Sequence, residues 1–324
     1  MNGTRRAVTH VVGRDRPGDP VAAAARALAK TLERCGRPGR VVTAADVAAG
    51  TEDLDGQLVV HSSDGGEALG DALPELVDRT LTLVHHGSAA GADRSVLRAL
   101  RAPTTSAVAL DPVAREELRG MGFRAVAPLQ PLLLDDPFDD VDPDEEAAAH
   151  LRAHPGPAIL HVGPLVPNRS LEVLLDAFTE LVTRHTPGAT LSLCGPSPSW
   201  YLARLRRRIS AHGLRSCELL EPSDEGQVLA RLERADVFVA LPPAGLDPYV
   251  RRAARDGVPI VAPPGAAATG LDPDDLVELG PRAHAGELAQ ALEDAIGRGR
   301  RSPRVTAPVA DGNLDTLVHQ LGLR

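Results

Sequence analysis

The chain has few aromatic residues: one Trp, two Tyr and four Phe, or 2% of 324 residues. It also has a single lysine, Lys30, so that almost all of its positive charge comes from arginine. Proteins that bind nucleic acids rely on a basic footprint and often on aromatic stacking platforms. The scarcity of aromatics and the net charge of −9 therefore argue against a nucleic-acid partner.

Cysteines and long apolar runs are scarce as well. Cys35, Cys194 and Cys217 are far apart and form neither a disulfide framework nor a CxxC metal pattern, so no metal or cofactor is expected. No apolar run reaches the roughly 18–20 residues that span a bilayer, and no apolar signal core precedes the first strand. We expect a cytoplasmic protein, and we leave contact with a membrane surface open.

Acidic residues are concentrated in one short segment. Eight acids and no bases lie between Asp135 and Glu146, and this run accounts for most of the net negative charge. Runs of this kind are typical of solvated linkers, which is our interpretation here. The surrounding segment, 131–157, is rich in Asp and Pro, and we place the hinge between two domains there.

Strand patterns alternate with helical patterns on both sides of this segment, which predicts an α/β fold with parallel sheets. The predicted first domain spans 1–140, the linker 141–157 and the second domain 158–312. A terminal helix over 313–324 could return to the first domain. The longest predicted helices are Pro20–Arg34 and Ser170–His185, each with an apolar face at helical spacing.

The second half carries a recognisable order of elements. A strand ends at Gly163, a loop leads to Arg169 and a long helix, and another strand runs into Cys194-Gly195-Pro196. A further strand, Ala235–Ala240, precedes a loop at Gly245, a helix and Gly257-Val258-Pro259. This half resembles the C-terminal domain of the retaining, GT-B-fold "glycosyl transferases group 1". The resemblance implies two Rossmann-like parallel-sheet domains that face each other across a cleft.

The first half adds shorter motifs of the same family. They are the Pro17-Gly18-Asp19 loop, His61-Ser62-Ser63 after a middle strand, and Val84-His85-His86-Gly87-Ser88 after the next strand. The resemblance implies an acceptor-side loop at Gly18 and Asp19, although Gly-Asp is also an ordinary turn. His85 aligns with a family histidine near the reacting sugar and is our candidate catalytic residue. The alternative for His85 is a helix cap or a core histidine.

Donor binding is implied at Gly163, Arg169, Gly245 and Arg252. In the family the loop after Gly163 supplies cations for the diphosphate, and Arg169 keeps that charge where the family has Lys. The backbone at Gly245 precedes a helix N-terminus, which suits a phosphate. Each feature also has an ordinary interpretation: an exposed arginine at Arg169, a plain turn capped by Asp247, and a solvated helix face at Arg252.

Three positions depart from the family pattern. Two family glutamates, which approach the sugar and hold the ribose, correspond to Ala244 and Arg252, and a family arginine corresponds to Pro164. Alanine has no side-chain acceptor, and arginine is only a donor. We therefore expect a glycosyltransferase-like protein with weak transfer from a nucleotide-diphosphate sugar to an unknown acceptor. The alternatives are a catalytically silent GT-B protein that binds a protein partner or nucleotide, and an epimerase-like relative.

Overall fold

The computed structural model describes residues 7–62, 67–86, 94–109, 112–128, 134–167, 169–222, 224–241, 247–263, 271–280, 283–303 and 311–323. Within these ranges the side chains of 67, 68, 112, 113, 169 and 311–313 are not described. The described residues form two six-stranded sheets, and every strand pair in both sheets is parallel. The predicted α/β class is confirmed.

The first sheet has the strand order β2-β1-β3-β4-β5-β6. Its strands are β1 (Val8–Val12), β2 (Gly39–Thr43), β3 (Gln57–Ser62), β4 (Leu81–His85), β5 (Thr104–Ala109) and β6 (Val126–Pro128). Its helices are α1 (Pro20–Arg34), α2 (Ala44–Ala48), α3 (Glu67–Gly70), α4 (Leu73–Leu76), α5 (Arg94–Leu100) and α6 (Pro112–Gly120). Helices connect each strand from β1 to β5 to the next strand in the chain, as parallel pairing requires.

The second sheet has the order β12-β11-β10-β7-β8-β9. Its strands are β7 (Ala158–Val162), β8 (Thr190–Cys194), β9 (Cys217–Leu220), β10 (Val237–Val239), β11 (Ile260–Ala262) and β12 (Leu276–Glu278). The remaining helices are α7 (Glu145–Arg152), α8 (Arg169–Arg184), α9 (Ser199–Ala211), α10 (Glu225–Arg234), α11 (Pro248–Arg255), α12 (Ala285–Arg298) and α13 (Asp311–Gln320). Among the described residues, no helix is both long and apolar enough to cross a bilayer.

Small and branched aliphatic side chains fill the core on both faces of each sheet. On one face of the first sheet, Val59 and Val84 pack with Leu28 of α1 and with Leu317 and Leu321 of α13. The C-terminal helix α13 thus covers the first sheet, although it follows the second sheet in the chain. Burying a large aliphatic side chain stabilises the fold by about 1.5–3 kcal/mol, so the buried leucines of α13 stabilise its packing on the first sheet.

The acidic run is only partly solvated, although its charge pattern predicts a solvated linker throughout. Asp135 pairs with Arg34 of α1 at 2.8 Å, and Asp136 pairs with Arg255 of α11 at 2.7 Å. Both aspartate side chains are only 15% exposed. The prediction of solvated side chains is wrong at these two positions, because their partners are basic residues about 100 positions away in the chain. The segment therefore joins helices of the two halves by ion pairs.

Candidate functional site

The two halves meet at the carboxyl ends of β1, β7 and β8. Gly18, in the turn between β1 and α1, has a left-handed backbone with φ of 74°. A Cβ atom added there would lie 3.1 Å from the Cα of Gly195, which follows β8. Ligands of open α/β sheets bind at these strand ends. The glycine at position 18 is required both by its backbone angle and by the close approach of the second half.

A second pair of glycines shapes the opposite wall. Gly163 donates its backbone N–H to the carbonyl of Cys194 at 2.9 Å, which joins the ends of β7 and β8. A Cβ on Gly195 would lie 2.0 Å from the carbonyl oxygen of Gly163, so no other residue fits there without a shift of the backbone. The Gly163 and Gly195 turns therefore form one rigid edge, against which the Gly18 turn packs.

A hydrogen-bonded junction crosses between the halves beside these turns. The backbone N–H of Gly18 donates to the phenolic oxygen of Tyr249 at 3.0 Å. The Tyr249 hydroxyl donates to the carboxylate of Glu225 at 2.7 Å, and Arg26 of α1 pairs with the same carboxylate at 2.5 Å. Tyr249 also stacks on Phe138, with ring centroids 4.8 Å apart. We call Gly18, Arg26, Glu225 and Tyr249 the junction.

Burial sets the ionisation of the junction. Desolvation raises the pKa of Glu225, although the hydrogen bond from Tyr249 and the charge of Arg26 oppose it. Desolvation, together with the neighbouring Glu225 carboxylate, raises the pKa of the Tyr249 phenol well above its usual value. Tyr249 therefore stays protonated and serves as both acceptor and donor in the junction.

Two helix N-termini converge at the same place, and each is capped by an aspartate. Asp19 accepts from the N–H groups of Val21 and Ala22 at the start of α1, and Asp247 accepts from the N–H of Tyr249 at the start of α11. Desolvation raises the pKa of Asp19 to about 6 and that of Asp247 to about 7. The negative charge of Asp19 also contributes to the raised pKa of Asp247.

Arg252 of α11 is held by two carboxylates. Its Nε atom pairs with Asp256 at 2.9 Å, its Nη1 atom lies 3.5 Å from Asp136, and the side chain is 15% exposed. Arg251, one residue earlier, donates to the carbonyl of Leu134 at 3.1 Å, and burial lowers its pKa. Phosphate binding by Arg252 stays a prediction, and ion pairing within the fold is its observed contact.

The remaining donor-side predictions fall on residues that the structure does not describe. Gly245 and Ala244 lie in 242–246, outside the described residues, and Arg169 is described only as the first residue of α8, without its side chain. Their roles stay predictions. Within the described part of the chain, no group of three or more His, Cys, Asp or Glu side chains could hold a metal ion.

His85 and its neighbour His86 point to opposite faces of the first sheet, as adjacent strand residues do. The Nδ1 atom of His85 lies 2.9 Å from the hydroxyl of Ser62, and both residues are buried. The histidine of the second half, His161, donates from Nδ1 to the carbonyl of Val239 at 2.9 Å, and desolvation lowers its pKa to about 4. Neutral His161 lies directly beneath the Gly163 turn, 3.5 Å from where a Cβ would stand.

Three further histidines, which the sequence analysis did not connect, touch one another inside the first sheet. His10 Nδ1 lies 3.0 Å from His61 Nε2, and His61 Nδ1 lies 2.8 Å from His86 Nε2. Desolvation lowers the pKa of His10 and of His86 to about 3 and that of His61 well below its usual value. We call His10, His61 and His86 the histidine row, and all three are neutral at physiological pH.

A pocket of about 270 Å³ lies elsewhere, at the amino ends of β7, β8 and β9. His150 and His154 of the α7 region line it, together with Cys217 and Arg234. Arg234 is already engaged there by Asp236 and by the carbonyl of Gly156. Because ligands of such sheets bind at the carboxyl ends, this pocket is not part of the candidate site.

Comparisons with known proteins identify the fold. No protein-family model matches the sequence, and no curated protein matches it. Solved structures match over nearly the whole chain, among them Anabaena HepE in complex with UDP and glucose, with 17% identity, a TM-score of 0.59 and coverage of 98% of this chain and 96% of that one. At this identity the likeness shows the fold alone.

Two other matches extend the same picture. Sucrose-phosphate synthase from Thermosynechococcus elongatus is 14% identical, with a TM-score of 0.58 and coverage of 98% and 97%. The UDP-GlcNAc 2-epimerase of Methanocaldococcus jannaschii, in complex with UDP-GlcNAc and UDP, is 11% identical, with a TM-score of 0.59 and coverage of 97% and 99%. The chain has a GT-B fold of two Rossmann-like halves, as the sequence predicts.

Proposed function

We propose that the protein is a glycosyltransferase-like protein that binds a nucleotide-diphosphate sugar between its two sheets and transfers the sugar slowly to an acceptor. The observation that carries the proposal is the convergence of the Gly18, Gly163 and Gly195 turns at the carboxyl ends of both sheets. Glycine turns let a ligand approach the backbone closely. Several proteins with this fold were solved with UDP, UDP-glucose or UDP-GlcNAc, which supports the ligand class.

The diphosphate is proposed to lie between the N-termini of α1 and α11. Free N–H groups and the positive end of a helix dipole favour an anion at such a position. Asp19 and Asp247 occupy these ends, and their raised pKa values let them bind a phosphate oxygen as neutral donors after taking up a proton. Arg169 and the backbone of Gly245 would complete the phosphate contacts. Retention of stereochemistry rests on the family resemblance alone.

Slow transfer follows from the groups that the cleft lacks. Ala244 and Pro164 cannot supply the side-chain acceptor and the cation found in the family, and Arg252 pairs with Asp136 and Asp256. Each missing polar partner costs about 1–3 kcal/mol, and every 1.4 kcal/mol lowers the rate about tenfold. Ala244→Glu is therefore expected to raise turnover. Arg252→Glu is a poorer test because it places a third carboxylate beside Asp136 and Asp256.

A catalytically silent protein is the second candidate, and one observation favours it. The N–H of Gly18 is already bonded to Tyr249, and carboxylates already cap both helix ends, so each phosphate contact needs a rearrangement. In this case the cleft would bind a nucleotide or a protein partner without transfer. An epimerase-like activity on the same fold is the third alternative, and its substrate would also be a nucleotide sugar.

A panel of nucleotides and sugar nucleotides separates these candidates. Thermal unfolding of the protein is measured with UDP, UDP-glucose, UDP-GlcNAc and GDP-mannose, followed by assays for released nucleoside diphosphate and for the C2 epimer. Stabilisation by one sugar nucleotide with slow diphosphate release supports transfer. Stabilisation without any product supports the silent protein, and an epimeric sugar nucleotide supports the third alternative. A melting temperature unchanged by every ligand at millimolar concentration would contradict the proposal.

A further inference from the structure

The histidine row follows a repeated local pattern in three neighbouring strands. A buried valine in each strand is followed two residues later by a histidine: Val8 and His10, Val59 and His61, and Val84 and His86, the last of which directly follows β4. Residues two apart lie on the same face of a strand. The strand order β1-β3-β4 then brings the three histidines together on the face that α1 and α13 cover.

The strand register makes the row run diagonally toward the carboxyl edge of the first sheet. His10 is level with Val59, and His61 is level with Val84, so each histidine lies two residues further along than the one before. Two residues of a strand correspond to about 6.6 Å. The exposed fraction of the histidine increases in the same direction, from 0% for His10 to 1% for His61 and 7% for His86. His86 is the end of the row at the carboxyl edge of the first sheet.

Hydrogen-bond chemistry allows this row only two arrangements. A neutral imidazole has one donor nitrogen and one acceptor nitrogen, so each N–H must point the same way along the row. In one arrangement His10 donates to His61, His61 donates to His86, and His86 keeps its proton on Nδ1, outside the row. In the other arrangement all three protons lie on Nε2, and His10 Nε2–H points into the core.

The inner end of the row decides between them. His10 Nε2 is buried and has no hydrogen-bond partner among the described residues. Gly39 and Ala29, which offer no side-chain acceptor, lie beside it: a Cβ added to Gly39 would lie 3.0 Å from the Cβ of Ala29 and 3.5 Å from His10 Nε2. A buried N–H without an acceptor is rarer in proteins than a buried acceptor without a donor. The first arrangement, with a bare Nε2 on His10, is therefore favoured.

We propose that His10 and His61 are positioning residues that hold His86 neutral with its proton on Nδ1, so that His86 donates a hydrogen bond to a ligand oxygen at the cleft. The ligand class is a hydroxyl or phosphate oxygen of the sugar nucleotide or the acceptor, and this part rests on the proposed function. The sequence motif pointed to His85, whereas the structure assigns the oriented imidazole to His86.

The test is the tautomer of each histidine in the intact protein, read from long-range ¹H–¹⁵N correlation spectra of ¹⁵N-histidine-labelled protein at pH 7.5. His10→Asn, His61→Asn and His86→Asn each remove one signal and so assign the row. His161 is the internal control, because its Nδ1 faces a carbonyl that only accepts and its tautomer is fixed. The expected result is the Nδ1–H tautomer for all three residues of the row.

Two results would overturn the proposal. The first is His86 in the Nε2–H tautomer or doubly protonated, because it would then accept from a ligand or carry charge. The second is UDP-glucose binding, shown by calorimetry, that leaves the His86 signal unmoved. A complete absence of sugar-nucleotide binding would instead contradict the proposed function, while the tautomer would still be decided. His10→Phe, which removes the inner donor, is expected to shift the His86 signal toward a mixture of tautomers without unfolding the protein.

Discussion

The backbone N–H of Gly18 donates a 3.0 Å hydrogen bond to the hydroxyl oxygen of Tyr249, 231 residues later in the chain. This bond joins the turn after the first strand to the start of α11 in the other half. It fixes how closely the two walls of the cleft approach. The same hydroxyl donates to Glu225, so a single phenol contacts both the Gly18 turn and the Glu225 carboxylate.

We expect Tyr249→Phe to destabilise the protein by about 1–3 kcal/mol, because Gly18 N–H and Glu225 each lose a buried partner. Stacking on Phe138 is retained in this variant, so the change reports the hydroxyl alone. The measurement is urea unfolding of Tyr249→Phe, Glu225→Gln and the double variant. A coupling energy of about 0.5–3 kcal/mol is expected, and strictly additive effects would show that the two groups act independently.

The acidic segment gives a matched pair of variants. Asp136 is 15% exposed and is bonded to two arginines of α11. Asp136→Asn is therefore expected to lower the free energy of unfolding by about 1–3 kcal/mol. Asp140, 85% exposed and paired with Lys30, is expected to change stability by less than about 0.5 kcal/mol. Equal effects of Asp136→Asn and Asp140→Asn on the unfolding midpoint would show that the ion pairs of Asp136 add no more stability than those of a solvated linker.

The free energy of unfolding is expected to fall already between pH 6.5 and 4.5, above the ordinary pKa values of Asp and Glu side chains. The row and His161 have pKa values lowered by burial, to about 3 for His10 and His86 and about 4 for His161. Below pH 6.5 these histidines are protonated in the unfolded chain and stay neutral in the folded chain. Each of them therefore lowers the free energy of unfolding by about 1.4 kcal/mol for every pH unit below 6.5. This stability is fully present above pH 6.5 and is lost as the pH falls toward 4.

Asp19 and Asp247 act in the opposite direction. Their raised pKa values, about 6 and 7, give stability below pH 4 that is lost as the pH rises through 6 and 7. Glu225, whose pKa burial also raises, opposes the histidines in the same way as the two aspartates. Four histidines outweigh these three acids, so the net slope between pH 6.5 and 4.5 is positive and stays below roughly 3 kcal/mol per pH unit. His161→Gln should flatten this slope, whereas the exposed His150→Gln should not. A free energy of unfolding that is independent of pH in this range would contradict the account.

The same two aspartates predict a pH dependence of ligand binding. A diphosphate binds more readily beside protonated carboxyl groups, so the affinity for UDP-glucose should fall as the pH rises from 6 to 8. The limit is about tenfold per pH unit for each proton taken up. UDP-glucose is the suitable ligand because its diphosphate keeps its charge over this range. Asp247→Asn should weaken the dependence, and an affinity that rises with pH would exclude these carboxyl groups from the phosphate site.

Local patterns were sufficient for much of the fold. Helix α1 has the predicted bounds because its alanine and leucine periodicity is strong and Pro20 marks its start. Strand β9 was not predicted, since all four of its residues are half-buried and no apolar alternation marks it. Strand β12 was missed as well, because a three-residue edge strand carries little periodic signal.

The candidate site depended on contacts that a linear pattern does not contain. The Val-x-His pattern occurs in three strands and was visible, but only the order β1-β3-β4 shows that these histidines touch. The partnership of Gly18 with Tyr249 links the two halves and leaves no local signal. The motif residues His85, Arg169, Gly245 and Arg252 were chosen by likeness to a family, and their roles stay predictions.

Calorimetric titration of UDP-glucose into the wild-type protein, Gly18→Ala and Gly50→Ala tests directly whether the cleft at Gly18 binds a nucleotide sugar. Both glycines have left-handed backbones, with φ of 74° and 65°, so both variants carry a similar strain of about 1–2 kcal/mol. Only Gly18 faces the other half; a Cβ at Gly50 would meet nothing within 4 Å. We expect binding to the wild-type protein and to Gly50→Ala, and an affinity at least about tenfold weaker for folded Gly18→Ala. Binding of equal strength to all three proteins, or to none of them, would contradict a nucleotide-sugar site at this cleft.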